Sequence, residues 1–139
     1  MYITKQQMIE RYGEQSLVEL TDRTAPYSED IVDAVLDVAI ADAAALVDSF
    51  VSGRYDLPLV AVPSILRGYT GDIAFYKLHR GMYSDEVRKS YEDALDFLKR
   101  LADGKVFLDV AGSQPKSSPA DARVEGPPRI FSKDSLEGF

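Results

Sequence analysis

The sequence predicts an all-α fold: a small helical bundle around one long central helix (about 28–52), with an extended loop and a flexible C-terminal tail. Three observations carry that prediction. Between Ser28 and Ser52 apolar residues recur at helical spacing over roughly seven turns. Two further stretches, Pro63–His79 and Ser84–Gly104, each hold an apolar stripe between helix start and stop signals. From Gly112 to Pro128 the chain is so rich in Pro, Ser and Gly, and so poor in apolar side chains, that burial cannot offset its ordering entropy.

The elements follow in order. Thr4-Lys5-Gln6-Gln7 is a capping-box pattern that opens a short helix carrying Met8, Ile9 and Tyr12, closed by Gly13. A second turn, Gln15 to Leu20, carries Leu17, Val18 and Leu20. Both pieces are too short to stand alone and are expected to pack as a lid on the central helix.

The central helix is expected to begin at Ser28 as N-cap, with Glu29 and Asp30 at the positive end of its dipole. At 100° per residue, Ile31, Val35, Val38 and Ala45 adjoin a stripe of Val32, Leu36, Ala39, Ala43, Leu46 and Phe50. Together they make an apolar arc wider than half the circumference, which demands cover on at least two sides. Asp30, Asp33, Asp37 and Asp48 are the expected solvated face.

The extended loop follows, with Pro58 and Pro63 holding the residues before them out of helix. Two readings of it stand: Tyr55, Leu57 and Leu59 pin the loop into the core, or they present a contact surface to another subunit. Pro63 then opens a helix to about His79, where Gly68 and Gly71 suggest close approach to another backbone. Ser84 caps the last helix, with Asp85 and Glu86 in its first turn and Lys99 and Arg100 near its end. The segment Lys105–Val110 is β-prone. Residues 1–111 thus form the folded domain, 112–128 a linker, and 129–139 a terminal peptide that regains Ile130, Phe131, Leu136 and Phe139. That ending reads either as a tethered contact peptide or as an end without a role.

The net charge is −7, and the tail from Gly112 is neutral, with Lys116, Arg123, Arg129 and Lys133 against Asp121, Glu125, Asp134 and Glu137. The negative charge therefore sits on the folded part, which disfavours non-specific binding to nucleic acid. No run approaches the ~20 apolar residues of a membrane span, and no basic n-region with an apolar h-region follows Met1. The chain has no cysteine, which removes thiolate nucleophiles, disulfides and cysteine metal sites.

Chemistry is hard to find. The single histidine, His79, sits at a helix end and reads as a cation there rather than a ligand or base. No nucleophile elbow, phosphate loop, H-E-x-x-H or EF-hand pattern is present. Carboxylates on one outward helix face solvate it more readily than they hold a metal. Neither catalytic residue, cofactor nor metal is expected. Asp42, in the apolar arc, and Asp72, inside the third helix, are expected as buried structural ion pairs with Arg54, Arg67 or Arg88.

The segments MYITKQQMIERYGEQSLVELTD, ADAAALVDSFVSGRYDLPL, VPSILRGYTGDIAFYKL, SDEVRKSYEDALDFLKRLADGKVFLDV and RIFSKDSLEGF, in this order and spacing, resemble the head-tail connector family of Mu-like phages and prophages. The resemblance implies a helical adaptor, assembled in the host bacterial cytoplasm and ending in the virion neck. There it would form a ring of about twelve copies of itself under the portal protein, extend the DNA channel without reading sequence, and dock a stopper or tail-completion protein. It also implies that Arg129, Ile130, Phe131, Leu136 and Phe139 engage the portal, with Tyr55, Leu57 and Leu59 as an intersubunit loop. The alternative from another class is a phage-encoded helical regulator that binds a host or phage protein through the same tail.

Overall fold

Burial of apolar stripes decides the architecture. The computed structural model describes residues 1–109, and within them the chain folds into five helices and no strand. These are α1 (Lys5–Tyr12), α2 (Glu14–Thr21), α3 (Asp33–Val51), α4 (Ser64–Leu78) and α5 (Asp85–Ala102). The expected all-α bundle around a long helix is what forms. The linker 112–128 and the peptide 129–139 lie outside the described residues.

The core is a three-helix arrangement. Leu36, Ile40, Ala43, Val47 and Val51 of α3 meet Leu66, Ile73 and Leu78 of α4 and Ala94, Leu98 and Leu101 of α5, all buried. Between α4 and α5, Tyr76 stacks on Tyr91 with ring centroids 3.9 Å apart and planes within 4°. Tyr69 meets Phe97 at 4.8 Å. Thr70, fully buried on α4, donates its hydroxyl proton to the Leu66 carbonyl at 2.7 Å, so it brings no unpaired polar group inside.

The short helices form as their caps require. Thr4 Oγ1 accepts from the Gln7 N–H at 3.2 Å, and Gln7 Oε1 accepts from the Thr4 N–H at 3.0 Å, completing the capping box. Ser84 Oγ accepts from the Val87 N–H at 3.2 Å and starts α5 as its sequence requires. The lid is only half as expected, because α2 packs on α3 while α1 docks on α4. Tyr12 of α1 lies flat on Phe75 at 4.1 Å. A Cβ on Gly71 would come within 2.8 Å of Ile3 Cδ1 and 3.1 Å of the Tyr12 hydroxyl, and one on Gly68 would meet the Arg11 guanidinium at 3.4 Å. The two glycines therefore admit side chains of α1 and its lead-in, where the sequence suggested a backbone.

The central helix is shorter than its apolar pattern. It starts at Asp33 with Val32 as N-cap, five residues after Ser28. Glu29 has φ 63°, which no right-handed helix accommodates. Asp22 holds the lead-in out of helix by accepting from the N–H groups of Ser28 at 3.3 Å and Glu29 at 2.8 Å. Thr21 Oγ1, buried, accepts from the Val32 N–H at 2.9 Å and donates to the Leu17 carbonyl at 2.7 Å. The first turn of α3 is thus positioned by the end of α2.

After α3, Tyr55 is buried with 1% of its surface exposed, and its hydroxyl accepts from the Leu108 N–H at 2.8 Å. Leu108 is buried beside it and Phe107 stands under the Arg54 guanidinium, 5.9 Å from the ring centroid. This contact fixes the segment after α5, which is not a strand as its β-prone composition suggested. Arg54, only 9% exposed, also lies against Gly104, where a Cβ would meet the guanidinium at 3.0–3.1 Å.

Tyr55→Phe keeps the ring and removes the acceptor from the buried Leu108 N–H. A loss of about 1–3 kcal/mol is expected in urea unfolding; an unchanged midpoint would show that the Leu108 N–H finds another partner.

Candidate functional site

The exposed side of α3 is mixed: an apolar strip runs along it between the acids Asp33 and Asp37 on one margin and Asp42 with Ser49 on the other. Ala34, Val38, Ala41 and Ala45 recur at i, i+4, i+7 and i+11 on that side, and all four are exposed, Val38 by 62%. Of the four acids expected to be solvated, three are exposed and Asp48 departs. Asp33 and Asp37 are exposed at the margin, Asp30 lies before the helix, and Asp48 is half-buried where it accepts a hydrogen bond from the Tyr2 hydroxyl. Burial, and then this bond to Asp48, push the Tyr2 phenol above its ordinary range. A helix that keeps an apolar strip on its exposed side, between acidic margins, has a surface to spare for another contact.

A groove runs along each flank of that stripe. One, of about 560 Å³, lies between Ala41, Ala44, Ala45 and Asp48 of α3, the lead-in residues Met1 and Tyr2, and the loop residues Leu57, Pro58, Leu59 and Val62. The other, of about 310 Å³, lies between Ala34, Val35, Val38, Ala39 and Asp42 of α3 and Lys77, Leu78 and Arg23. Arg23 reaches across by donating to the Leu78 carbonyl at 2.8 Å. Both grooves are mostly apolar with charged rims, the anatomy of a docking surface.

The structure divides the loop residues that the sequence grouped together. Tyr55 belongs to the core, Leu59 is half-buried against it, and Leu57 and Val60 are exposed, Val60 by 75%. The loop thus pins itself with one side chain and presents others beside α3. Arg129, Ile130, Phe131, Leu136 and Phe139 lie outside the described residues.

Asp42 and Asp72 do not take the partners expected of them. Asp42 is exposed on the rim of the smaller groove, because α3 turns that side to solvent. Asp72 is half-buried, but it is paired from α1: it accepts from the Tyr12 hydroxyl at 2.6 Å, with the Arg11 guanidinium at 3.7 Å. Arg54 lies against Phe107 and Gly104, Arg67 is half-buried on α4, and Arg88 pairs with Asp85 and Glu92 along α5. Burial raises the Asp72 carboxyl above its ordinary range, and the Tyr12 and Arg11 bonds offset this only in part. Tyr12 is raised as well, by burial first and its bond to Asp72 second.

His79 caps the end of α4 with Nδ1 2.7 Å from the Phe75 carbonyl oxygen, so Nδ1 carries a proton, and its ring meets Phe75 edge-on at 4.8 Å. Among the described residues no three His, Asp or Glu side chains gather as a metal site, and no helix is long and apolar enough to cross a membrane. In the sequence, Val38 and Ala45 of this stripe belong to the wide apolar arc of the central helix, whereas Ala34 and Ala41 are too small to mark a face of their own. The signal was present, since that arc was wider than two neighbouring helices can cover.

Two predictions follow from the placement of the acids. Asp42→Asn should change stability by less than about 0.5 kcal/mol in urea unfolding, as expected of an exposed site. Asp72→Asn keeps an acceptor for Tyr12 and removes a half-buried charge. Because the folded carboxyl is raised, protonation stabilises the native state below the ordinary carboxylate range, and that contribution is lost as pH rises through the raised value. The variant should therefore gain stability relative to the parent between acid and neutral pH. Asp72→Ala, which leaves Tyr12 without its acceptor, should lose about 1–3 kcal/mol.

The chain matches the family described as Bacteriophage Mu, Gp36 over residues 2–125. It is 30% identical over 141 aligned residues to gene product J of Escherichia phage Mu, covering 99% of this chain and 98% of that protein. It is 29% identical over 140 residues to the Mu-like prophage FluMu protein gp36 of Haemophilus influenzae, covering 100% of this chain and 98% of that one. The match spans both the helical domain and most of the linker, and on that basis the chain belongs to the phage Mu Gp36 family.

Proposed function

We propose that this protein is a head-tail connector, an adaptor that forms a ring under the portal, extends the DNA channel and docks the next neck or tail protein. It acts through surfaces and has no catalysis of its own. The observation that carries the reading is the outer stripe of α3. Ala34, Val38, Ala41 and Ala45 leave an apolar strip on the exposed side of the longest helix of the domain, between two mostly apolar grooves. A face of small residues on a rigid element suits repeated contact between copies, because neighbours approach closely with little side-chain entropy to lose. Family membership with proteins of phage Mu and a Mu-like prophage supports a role in the phage particle or its assembly. The negative charge of the folded domain suits a channel wall, which must pass DNA without holding it. The tail, with Ile130, Phe131, Leu136 and Phe139, is the segment proposed to reach the portal.

The test is light scattering coupled to gel filtration of the full chain with the portal protein of the same phage. Binding in about twelve copies per portal ring supports the adaptor; a small complex of fixed stoichiometry with some other protein, and none with the portal, would favour the regulator instead. Val38→Asp places a charge on the exposed stripe, so it should leave unfolding within about 0.5 kcal/mol of the parent while abolishing ring formation. Ring formation by the variant would remove the α3 face from the intersubunit contact.

A further inference from the structure

Where α2 and α4 end, cations gather beside the smaller groove. Arg23 and Lys77 line it, and Asp42 is the one acid among its lining residues. Arg23 donates to the backbone carbonyls of Leu20 and Leu78, both at 2.8 Å, while burial and then the like charge of Arg80 hold its guanidinium below its ordinary range. Among the described residues neither Lys77 nor Arg80 takes an ion pair, whereas Lys5, Arg11, Arg88 and Lys89 all do. The groove thus sets an apolar floor of Val35, Val38 and Leu78 under a cationic rim, on a chain of net charge −7.

The complement to that groove lies at the same end of the molecule. The connector between α2 and α3 carries Tyr27, 64% exposed, and then Glu29 and Asp30, both exposed and neither in an ion pair among the described residues. It is a formed knob: Asp22 accepts from the Ser28 and Glu29 N–H groups, Thr21 accepts from the Val32 N–H, and Glu29 is kept at φ 63°. The same ties hold Tyr27 outside the groove of its own chain.

We propose that two copies of this chain pair about a two-fold axis at this end, each placing Tyr27 in the other's groove and Glu29 and Asp30 against the other's Lys77 and Arg80. Arg23 belongs to both the connector and the groove wall, so knob and groove are neighbours, and an axis passing between them makes both contacts at once. Charge agrees, because two acids meet a rim whose cations outnumber its single acid. Size agrees as well: about 310 Å³ is room for one large side chain, and tyrosine is a frequent interface anchor. Exposed ion pairs add little each, so Tyr27 supplies the affinity and the charges set the register. A chain so paired has Val38 covered, which withholds the α3 strip from any other contact. The inference stands apart from the adaptor reading, and its test contains no portal.

Sedimentation velocity of the full chain, over a series reaching about 1 mM, should show a monomer–dimer equilibrium. It should weaken about tenfold or more as the screening length falls from about 10 Å at 0.1 M salt to about 3 Å at 1 M. Lys77→Glu with Arg80→Glu, or Glu29→Lys with Asp30→Lys, should each weaken the dimer about tenfold or more and leave the urea midpoint near the parent's, since all four side chains are exposed. An equimolar mixture of the two variants should pair again, and so should a chain with all four changes, because both restore opposite charges across both contacts. Tyr27→Ser should weaken the dimer about tenfold without altering its salt dependence. A parent that stays monomeric throughout would overturn the proposal, as would species that keep growing with concentration, the mark of a head-to-tail contact. Loss in either reversed variant without recovery on mixing, or a dimer indifferent to the reversals or to Tyr27→Ser, would overturn it equally.

Discussion

Everything in this fold depends on how much of α3 its neighbours can reach. A helix packed against two others loses roughly one side to each contact, and the geometry of three-helix packing leaves the third side uncovered. In most such domains the third side is polar and the matter ends there. Here Ala34, Val38, Ala41 and Ala45 run along the third side, between Asp33 and Asp37 on one margin and Asp42 and Ser49 on the other. The same helix therefore supplies the core with Leu36, Ile40, Ala43, Val47 and Val51 and leaves an apolar strip on the outside. The strip is made of small residues, which keeps its cost in water low enough for a free chain to tolerate.

Rigidity of that strip comes from the ends of α3. At one end Thr21 and Asp22 hold the residues before Asp33 in a non-helical path, tying α2 to the first turn. At the other, Arg54 and Tyr55 are clamped against Gly104, Phe107 and Leu108, tying the end of α3 to the segment after α5. Each tie includes buried groups, Thr21 at one end and Arg54, Tyr55 and Leu108 at the other, and contacts of buried polar groups cost most to break. Tyr12, Phe75 and Asp72 attach α1 to α4 on the far side, away from the strip.

The sequence made the helices legible because their signals are local. The Thr4 capping box, Pro63 before α4, and Ser84 with Asp85 and Glu86 before α5 each act within one turn, and each stands where expected. The start of α3 was not legible. Ser28, Glu29 and Asp30 form a good local cap pattern, but the carboxylate of Asp22 and the hydroxyl of Thr21 outcompete it through contacts that only the folded chain contains. The partners of Asp72 failed for the same reason: an arginine was sought along the central helices, and the answer was Tyr12 and Arg11 on a helix 60 residues earlier in the chain. Asp42 failed because one wide arc was assigned a single direction. In the loop, Tyr55 takes the buried one of the two readings the sequence left open and Leu57 stays outside, a split that no local pattern in the sequence distinguishes.

The Tyr55 contact with Leu108 has a mechanical consequence. A load applied to the tail does not peel α5 from its C-terminal end, since the backbone is first held at Leu108, whose N–H bond and buried side chain must shear together. Tension is passed sideways into Tyr55 and so to the root of α3, the longest helix in the domain. Whatever pulls on the chain beyond Leu108 thus loads the frame of the molecule before it can unravel the end of α5.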